Sequence, residues 1–233
     1  MLSREPKSKD GKLPVITNVL ISHAHEDHVG NLQHIIDTNM SKDLLVRIHH
    51  DDVALVDGRQ KFSETREIIG VDRKGCIPCV PTMWLGIGRH ILKDNLVVFP
   101  KNVLEQIEDQ GREDDEKPMS SWCTNDIRAV RCPGHTQGHL LFYHVPTKII
   151  IAGDLWMNLK GGLLGKIKFW SCCVSPSLTG PNPLSSYNMR MCYESMRKVL
   201  NTFPDFTHVY PSHDDGCGIP RSKIEKFVKS AGF

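Results

Sequence analysis

The segment His23-Ala24-His25-Glu26-Asp27-His28 constrains this chain more than any other feature, because it groups three imidazoles around a carboxylate. In a helix, His23 and His25 would project about 200° apart and could not share an ion, so the segment is predicted to be extended. Imidazole and carboxylate donors without thiolate suit zinc, iron or manganese. Sites of this composition generally keep one coordination position open for water.

The flanks of this segment predict a strand before it and a helix after it. Residues 15–21 form an apolar, β-branched run, which indicates a buried strand ending at the histidines. In α/β proteins, sites are usually built at the carboxyl ends of strands. After Asp27, apolar residues recur at helical spacing, at Val29, Leu32, Ile35 and Ile36. We therefore expect a strand, a ligand loop and a helix in that order.

The composition is that of an ordinary globular protein, and it excludes several partners. With 233 residues, 39% hydrophobic and 24% charged, the chain is expected to form a single domain spanning residues 1–233. There is no apolar run of 18 residues and no apolar signal segment, so we expect a cytoplasmic protein without a membrane partner. A net charge of +2 without a lysine and arginine block is too small to argue for nucleic acid or an acidic membrane as a partner.

The eight cysteines are expected to be reduced thiols, since a chain of this size without a secretory signal seldom needs disulfides. Cys76 and Cys79 form a lone C-x-x-C motif. A zinc ribbon would require a second pair at matching distance, and neither Cys123/Cys132 nor Cys172/Cys173 supplies one. Ordinary thiols are the favoured interpretation, and a redox or structural-metal role for the pair is the alternative.

The middle of the chain carries weaker signals. Residues 44–50 predict a second strand that ends in His49 and His50, followed by a short helix from Asp51. These two histidines could be ligands, but the neighbouring pattern does not require them, and we expect them to be solvated or hydrogen bonded. Residues 58–121 are rich in glycine and proline and are hard to interpret. The acidic run 105–117 within them is predicted to be solvated, since so much like charge is not buried unpaired.

Three later segments repeat the layout of the first. Predicted strands at 127–132 and 140–145 flank a glycine-containing loop that carries His135. A strand at 148–152 is followed by Asp154, and residues 206–211 lead to His213. A short helix is expected after these, at about residues 221–230. Four strand ends that each offer histidine or aspartate are what a preformed metal centre between packed sheets requires.

These blocks resemble, in order, the signatures of the metallo-β-lactamase superfamily, closest to its glyoxalase II-like and small-molecule hydrolase members. The resemblance spans residues 15–216 and rests on His23-Ala24-His25-Glu26-Asp27-His28, Pro133-Gly134-His135-Thr136-Gln137-Gly138-His139, Ala152-Gly153-Asp154 and Ser212-His213. It implies an αββα sandwich with a two-metal site at one edge of the packed sheets. Residues 1–22 supply one strand where the family has more, so we expect the first sheet to be incomplete.

The resemblance also implies the ligands and the reaction. The first metal would be held by His23, His25 and His135, the second by Asp27, His28 and His213, and Asp154 would bridge them. Two zinc ions are expected, with iron or manganese as alternatives. Asp27 and Asp154 are the predicted catalytic residues of a hydrolase that attacks a small ester, thioester or lactam-like substrate with a bridging hydroxide. No G-x-S-x-G elbow is present to offer a serine nucleophile instead.

Local geometry gives an independent reason to expect two ions. If Asp27 and His28 are consecutive in an extended loop, they point to opposite sides, and only one can share the side of His23 and His25.

His139 is expected to orient the loop of His135. Lysines 160, 166 and 168 could attract a substrate carboxylate but are expected to be solvated. The alternative functions are a metal-dependent nuclease, a mono-iron sulfur dioxygenase and an inactive truncated family member.

Overall fold

The computed structural model describes residues 16–38, 43–60, 104–107, 126–158, 178–181, 186–213 and 218–231. These residues form two main sheets and one two-stranded sheet. None of the helices in these ranges combines the length and apolarity needed to cross a bilayer. The prediction of a single domain over the whole chain is not tested by these ranges and stays a prediction.

The first sheet is entirely parallel, with its second strand in the centre, and consists of β1 (Asn18–Leu20), β2 (Leu45–His49) and β3 (Leu104–Ile107). Strands are thus confirmed within residues 15–21 and 44–50. The predicted burial of the first strand was wrong, because Asn18 is exposed and Val19 and Leu20 are only half-buried. Residues 105–107, at the start of the acidic run, belong to β3 and pair with β2, and the predicted solvation of the run stays a prediction. The expected incompleteness of this sheet concerns residues outside the described ranges as well and stays a prediction.

Three short helices accompany the first sheet: α1 (Glu26–Val29), α2 (Leu32–Thr38) and α3 (His50–Val56). The single helix predicted after Asp27 is therefore two helices, separated at Gly30 and Asn31. The apolar spacing nevertheless identifies the buried side chains, because Val29, Leu32 and Ile36 are buried against the sheet. The predicted helix from Asp51 corresponds to α3, which begins directly where β2 ends.

The second sheet has five strands in the order β10-β9-β6-β5-β4, and only β6 and β9 pair in parallel. Its strands are β4 (Ile127–Arg131), β5 (Leu140–His144), β6 (Ile149–Ile151), β9 (His208–Tyr210) and β10 (Ile219–Pro220). Four of them fall inside the strands predicted at 127–132, 140–145, 148–152 and 206–211. The small third sheet pairs β7 (Met157–Asn158) with β8 (Leu178–Thr179).

Two longer helices cover the outer face of the second sheet. The helix α5 (Arg221–Ser230) has the bounds that the sequence predicted. The helix α4 (Met189–Thr202) was not predicted, although its start is capped by Asn188, whose side chain accepts a hydrogen bond from the Met191 amide. Cys192, Met196 and Val199 recur along one face and are fully buried. Each such side chain contributes about 1.5–3 kcal/mol by its removal from water.

Alternation along β5 shows how the layers are stacked. Leu141 and Tyr143 face the core shared with α4 and α5, whereas Leu140 and Phe142 belong to a separate cluster that Leu20 of β1 also contacts. The second cluster therefore lies between the two sheets. A third cluster joins the first sheet to α1, α2 and α3. The order of layers is helix, sheet, sheet, helix, as the αββα prediction requires.

A cavity of about 280 Å³ lies between the sheets, lined by apolar residues that include Phe142, Ile149 and Ile151. Its polar wall is formed by Ser22, Gly153 and Ser212, which immediately precede three of the predicted metal ligands: His23, Asp154 and His213. Ile151 is 49% exposed beside it. The cavity adjoins the cluster around Leu140, because Leu20, Ile127 and Phe142 belong to that cluster and also line the cavity.

The cysteines within the described ranges behave as predicted. Cys132 and Cys192 are free and buried. Burial raises the pKa of both thiols to about 12, so both stay protonated in the core and are poor metal ligands. Cys76, Cys79 and the other cysteines lie outside the described residues, as do the three lysines discussed above.

Candidate metal centre

The loop after β1 carries the first histidines in the extended conformation that the sequence predicted. Residues 23–25 belong to no helix, and His25 has backbone angles of −74° and 151°. The prediction for the next two residues was wrong, because Asp27 and His28 lie in the single turn of α1 rather than in an extended loop. They therefore do not point to opposite sides, and both side chains turn toward the same group of ligands.

The loop between β4 and β5 aims His135 at the same place. Gly134 has a φ of +133°, and a Cβ atom there would lie 2.3 Å from the backbone nitrogen of Cys192. The residue is glycine because the loop approaches α4 closely in a conformation that other residues resist. The Ser186 hydroxyl lies 3.0 Å from Nδ1 of His135, which leaves Nε2 facing the cluster.

The first metal group consists of His23, His25, His135 and Asp154, all four of them buried. Nε2 of His23 lies 3.1 Å from Nδ1 of His25. The Oδ2 atom of Asp154 lies 3.3 Å from His135 Nε2 and 3.9 Å from His23 Nε2. Ligand atoms bound at 2.0–2.1 Å to one tetrahedral zinc ion are roughly 3.4 Å apart. The group therefore has dimensions that fit a single ion.

The second metal group consists of Asp27, His28, His213 and the same Asp154. Nε2 of His213 lies 3.2 Å from Asp27 Oδ2 and 3.2 Å from Asp154 Oδ2. Nε2 of His28 lies 3.2 Å from Asp154 Oδ1. The side chains of Asp27 and His213 are 37% and 38% exposed, so this group opens to solvent on one side.

Asp154 faces both groups from the end of β6. Burial by itself would raise the pKa of this carboxyl, but polar contacts with His135, His213 and His28 outweigh it and hold the pKa well below the usual value. The carboxylate is therefore ionised, as a metal ligand must be. The structure brings together all seven predicted ligands: His23, His25, Asp27, His28, His135, Asp154 and His213.

Protonation differs between the two groups. Burial lowers the pKa of His23 and of His25 well below the usual value, so both are neutral near pH 7. At His213, polar contacts with Asp154 and Asp27 raise the pKa to about 10. The contact with His213 in turn lowers the pKa of Asp27. The first group is ready to donate to a cation, whereas the second holds a proton where a cation would bind.

The donor atoms themselves fit a metal better than they fit one another. In the part of the chain that the structure describes, His28 Nε2, His135 Nε2 and Asp154 Oδ1 are buried without a well-aligned hydrogen bond. Buried polar atoms normally have such partners, and leaving one unsatisfied costs about 1–3 kcal/mol. A cation at the centre of each group would satisfy them. Imidazole and carboxylate donors of this kind suit zinc, iron or manganese.

His139 supports Asp154 from behind. Burial lowers the pKa of its imidazole to about 3, and its Nε2 accepts a hydrogen bond of 3.2 Å from the Asp154 amide. Gly153 has a φ of +51°, and a Cβ atom there would lie 2.7 Å from that same Nε2. His139 was expected to orient the loop of His135, but the hydrogen bond of its imidazole goes to the loop that carries Asp154.

His49, His50 and Asp51 form a third group whose ligand atoms are close together. Its members make hydrogen bonds and ion pairs with neighbouring residues. Nδ1 of His49 accepts a hydrogen bond from the Asp51 amide at the start of α3, and the Asp51 carboxylate pairs with His50 and with Arg131. This arrangement agrees with the expectation that the two histidines are hydrogen bonded.

Sequence reasoning missed one buried carboxylate beside the centre. Asp52 in the first turn of α3 is 0% exposed and accepts hydrogen bonds from Ala24, Thr136 and Gly138. Burial raises its pKa to about 6, against the opposing effect of these hydrogen bonds. An acidic pair just after a predicted strand was the available signal, since helix starts favour aspartate.

Known proteins resemble this chain along most of its length. A family model described as "Metallo-beta-lactamase superfamily" matches residues 1–202. That range holds every predicted ligand except His213. One relative is described as "Probable metallo-hydrolase YflN" from Bacillus subtilis (strain 168). It is 19% identical over 212 residues, which cover 88% of this chain and 67% of the relative.

Some solved structures are similar to this chain in fold. One is the archaeal metallo-beta-lactamase superfamily protein ST1585 from Sulfolobus tokodaii, with a TM-score of 0.51 and 14% identity over 94% of this chain and 68% of that one. Another is the metallo-beta-lactamase FIM-1 from Pseudomonas aeruginosa in its mono-zinc form. Its TM-score is 0.51 and its identity 13%, over 96% of this chain and 70% of that one. At these identities the likeness concerns the fold alone.

Proposed function

This chain belongs to the metallo-beta-lactamase superfamily, and we propose that it cleaves a small ester, thioester or lactam-like substrate with a hydroxide held between two metal ions. Membership places the chain among metal-dependent hydrolases. The observation that carries the proposal is the position of Asp154, whose carboxylate lies 3.3 Å from His135 of the first metal group and 3.2 Å from His28 of the second. A carboxylate so placed is suited to bridge two ions.

The chemistry fits the donors that the chain supplies. Two ions about 3.5–4 Å apart lower the pKa of a shared water toward 7 and polarise the carbonyl under attack. The neutral imidazoles of His23 and His25 donate lone pairs without first losing a proton. Asp27 and His213 are the exposed members of the centre, so a substrate would approach from their side. Asp27 can also accept a hydrogen bond from the attacking water, which supports its predicted catalytic role.

We propose zinc as the metal, with iron or manganese as alternatives. All seven ligands are nitrogen or oxygen donors, and the imidazole-rich first metal group is typical of zinc. The buried protonated thiols of Cys132 and Cys192 take no part. The similar protein FIM-1 is described in a mono-zinc form, which supports zinc without fixing the number of ions here.

A small-molecule substrate and a cytoplasmic location are part of the proposal. The support for a small substrate is the modest net charge of +2, which offers little attraction to nucleic acid. Cell fractionation with antibodies to the chain would test the location. Cleavage of a labelled RNA by the purified protein would favour a metal-dependent nuclease over a hydrolase of small molecules.

Metal analysis combined with a substrate panel tests the proposal. Purified protein should contain two zinc ions per chain and should hydrolyse at least one of p-nitrophenyl acetate, a glutathione thioester and a chromogenic β-lactam. Chelation should abolish the activity and zinc should restore it. One iron per chain with sulfur oxidation would replace the proposal by a dioxygenase, and a folded protein without metal would point to an inactive member.

A further inference from the structure

Asp52 connects the two loops that supply the histidines of the first metal group. Its Oδ2 accepts hydrogen bonds from the Ala24 amide at 3.1 Å and from the Thr136 hydroxyl at 2.7 Å. Its Oδ1 accepts a bond from the Gly138 amide at 2.8 Å. Ala24 lies between His23 and His25, and Thr136 follows His135 directly. One buried side chain therefore spans the gap between the two ligand loops.

The approach of the second loop to Asp52 depends on glycine. A Cβ atom at Gly138 would lie 2.8 Å from Asp52 Oδ1 and 3.0 Å from the Asp52 backbone nitrogen. Contacts that short do not occur, so any larger residue would push the loop away from α3. Arg131 holds the same loop from outside, because its Nε donates to the Gln137 carbonyl and its guanidinium pairs with Asp51. The start of α3 is thus shaped to hold this loop.

The three partners of Asp52 determine which side chain fits. All are donors, two backbone amides and a hydroxyl, so the position requires an acceptor at each oxygen. A carboxamide offers one acceptor oxygen, and its NH₂ group would face either the Gly138 amide or the Ala24 amide. An apolar side chain would leave all three donors unsatisfied. Only a carboxylate satisfies both loops at once.

We propose that Asp52 is a positioning residue for the first metal group and that it sets the affinity of this group for a metal ion by fixing the distance between the two histidine loops. Asp52 belongs to neither metal group. It acts through the backbone amide between His23 and His25 and through the hydroxyl of the residue after His135. Groups that orient metal ligands in this way typically change affinity by about 10–100-fold when replaced. The proposal rests on the proposed function only for its effect on turnover.

The test compares Asp52→Asn with Asp57→Asn, which makes the same change at the end of α3, where Asp57 pairs only with the surface residue Arg59 among the described residues. The dissociation constant of the first zinc equivalent is measured by competition with a chromophoric chelator. Asp52→Asn should weaken it by about 10–100-fold and shift the visible spectrum of the cobalt-substituted protein. Asp57→Asn should stay within about twofold of the unchanged chain. Equal affinity and an equal cobalt spectrum in Asp52→Asn would overturn the proposal.

If Asp52→Asn does not fold, a second pair of variants tests the positioning role of Asp52. Thr136→Val removes one donor to Asp52 with little change of shape, and Thr136→Ser keeps the hydroxyl. Zinc affinity should fall several-fold in the valine variant and be close to normal in the serine variant. Equal affinities in the two variants would refute the role of Asp52. Neither measurement needs turnover, so failure of every hydrolysis assay would count against the proposed function alone.

Discussion

The first and second metal groups share Asp154 but differ in almost every other respect. His23, His25 and His135 are buried, and burial keeps His23 and His25 neutral by lowering their pKa values. In the second group, His213 is 38% exposed and its pKa is raised to about 10 by Asp154 and Asp27. The difference shows that one half of the centre is preorganised for a cation, whereas in the other half a cation must displace a proton.

This asymmetry follows from where the ligands sit in the fold. The buried group lies between a loop of the first sheet and a loop of the second, and Asp52 holds the two loops together. The open group takes Asp27 and His28 from one turn of α1 and His213 from the end of β9. We expect the first group to determine metal retention and the second to admit the substrate.

Asp154→Ala should have the largest effect, because it removes the one ligand that the two groups have in common. We expect a loss of hydrolysis of at least about a hundredfold, the scale on which a major charge-stabilising group acts. Circular dichroism should show that the protein still folds. The control is Asp126→Ala, at the exposed start of β4 and at the other end of that strand from the His135 loop. Near-full activity of Asp154→Ala would refute the bridging role.

His213→Ala tests the second metal group, which is the solvent-exposed one. Removing this ligand should release the second ion and leave the first in place, so metal analysis should find one ion per chain instead of two. Hydrolysis should fall by about 10–100-fold, the usual cost of disturbing a metal site. His135→Ala is the matched substitution in the first group, and we expect it to lower zinc affinity more. The distinction between the groups fails if both variants bind their tightest zinc ion with the same affinity.

The two groups should also respond differently to pH. Since His213 carries a proton below about pH 10, each ion that enters the second group releases it. The affinity of that group should therefore fall about tenfold for each unit by which the pH drops from 9 to 7. His23 and His25 are already neutral in this range, so they add no such dependence to the first group. Zinc titrations at three pH values should show two binding phases. The affinity of one phase should change with pH, and the affinity of the other should not.

Cys76→Ser should have the smallest effect. If the seven nitrogen and oxygen ligands make up the whole centre, this substitution leaves both the metal content and the hydrolysis rate unchanged. Loss of one bound ion from this variant would instead revive a thiolate site at Cys76 and Cys79.

Sequence reasoning recovered the parts of the molecule that carry local signals. The six predicted strands are present, because each is marked by an apolar or alternating run of residues. The helix α5 was found with its bounds because its start directly follows Pro220. The seven ligands lie together because parallel and neighbouring strands end at the same edge of the sandwich.

The remainder depends on contacts distant in sequence. The strand β3 lies in an acidic stretch and is formed by pairing with β2, from Val46 opposite Leu104 onward, which composition does not reveal. Asp52 looks like any helix-start aspartate until Thr136 and Gly138 are placed against it. Asp27 and His28 were predicted as extended because the conformation that His23 and His25 require was assumed to continue to the end of the segment.

A crystal structure of the zinc-loaded protein, with anomalous scattering collected at the zinc edge, tests the central claim most directly. We predict two anomalous peaks about 3.5–4 Å apart. One should lie about 2.0–2.2 Å from donor atoms of His23, His25 and His135, and the other at that distance from Asp27, His28 and His213. Peaks at His49 and Asp51, or none near Asp154, would contradict the account.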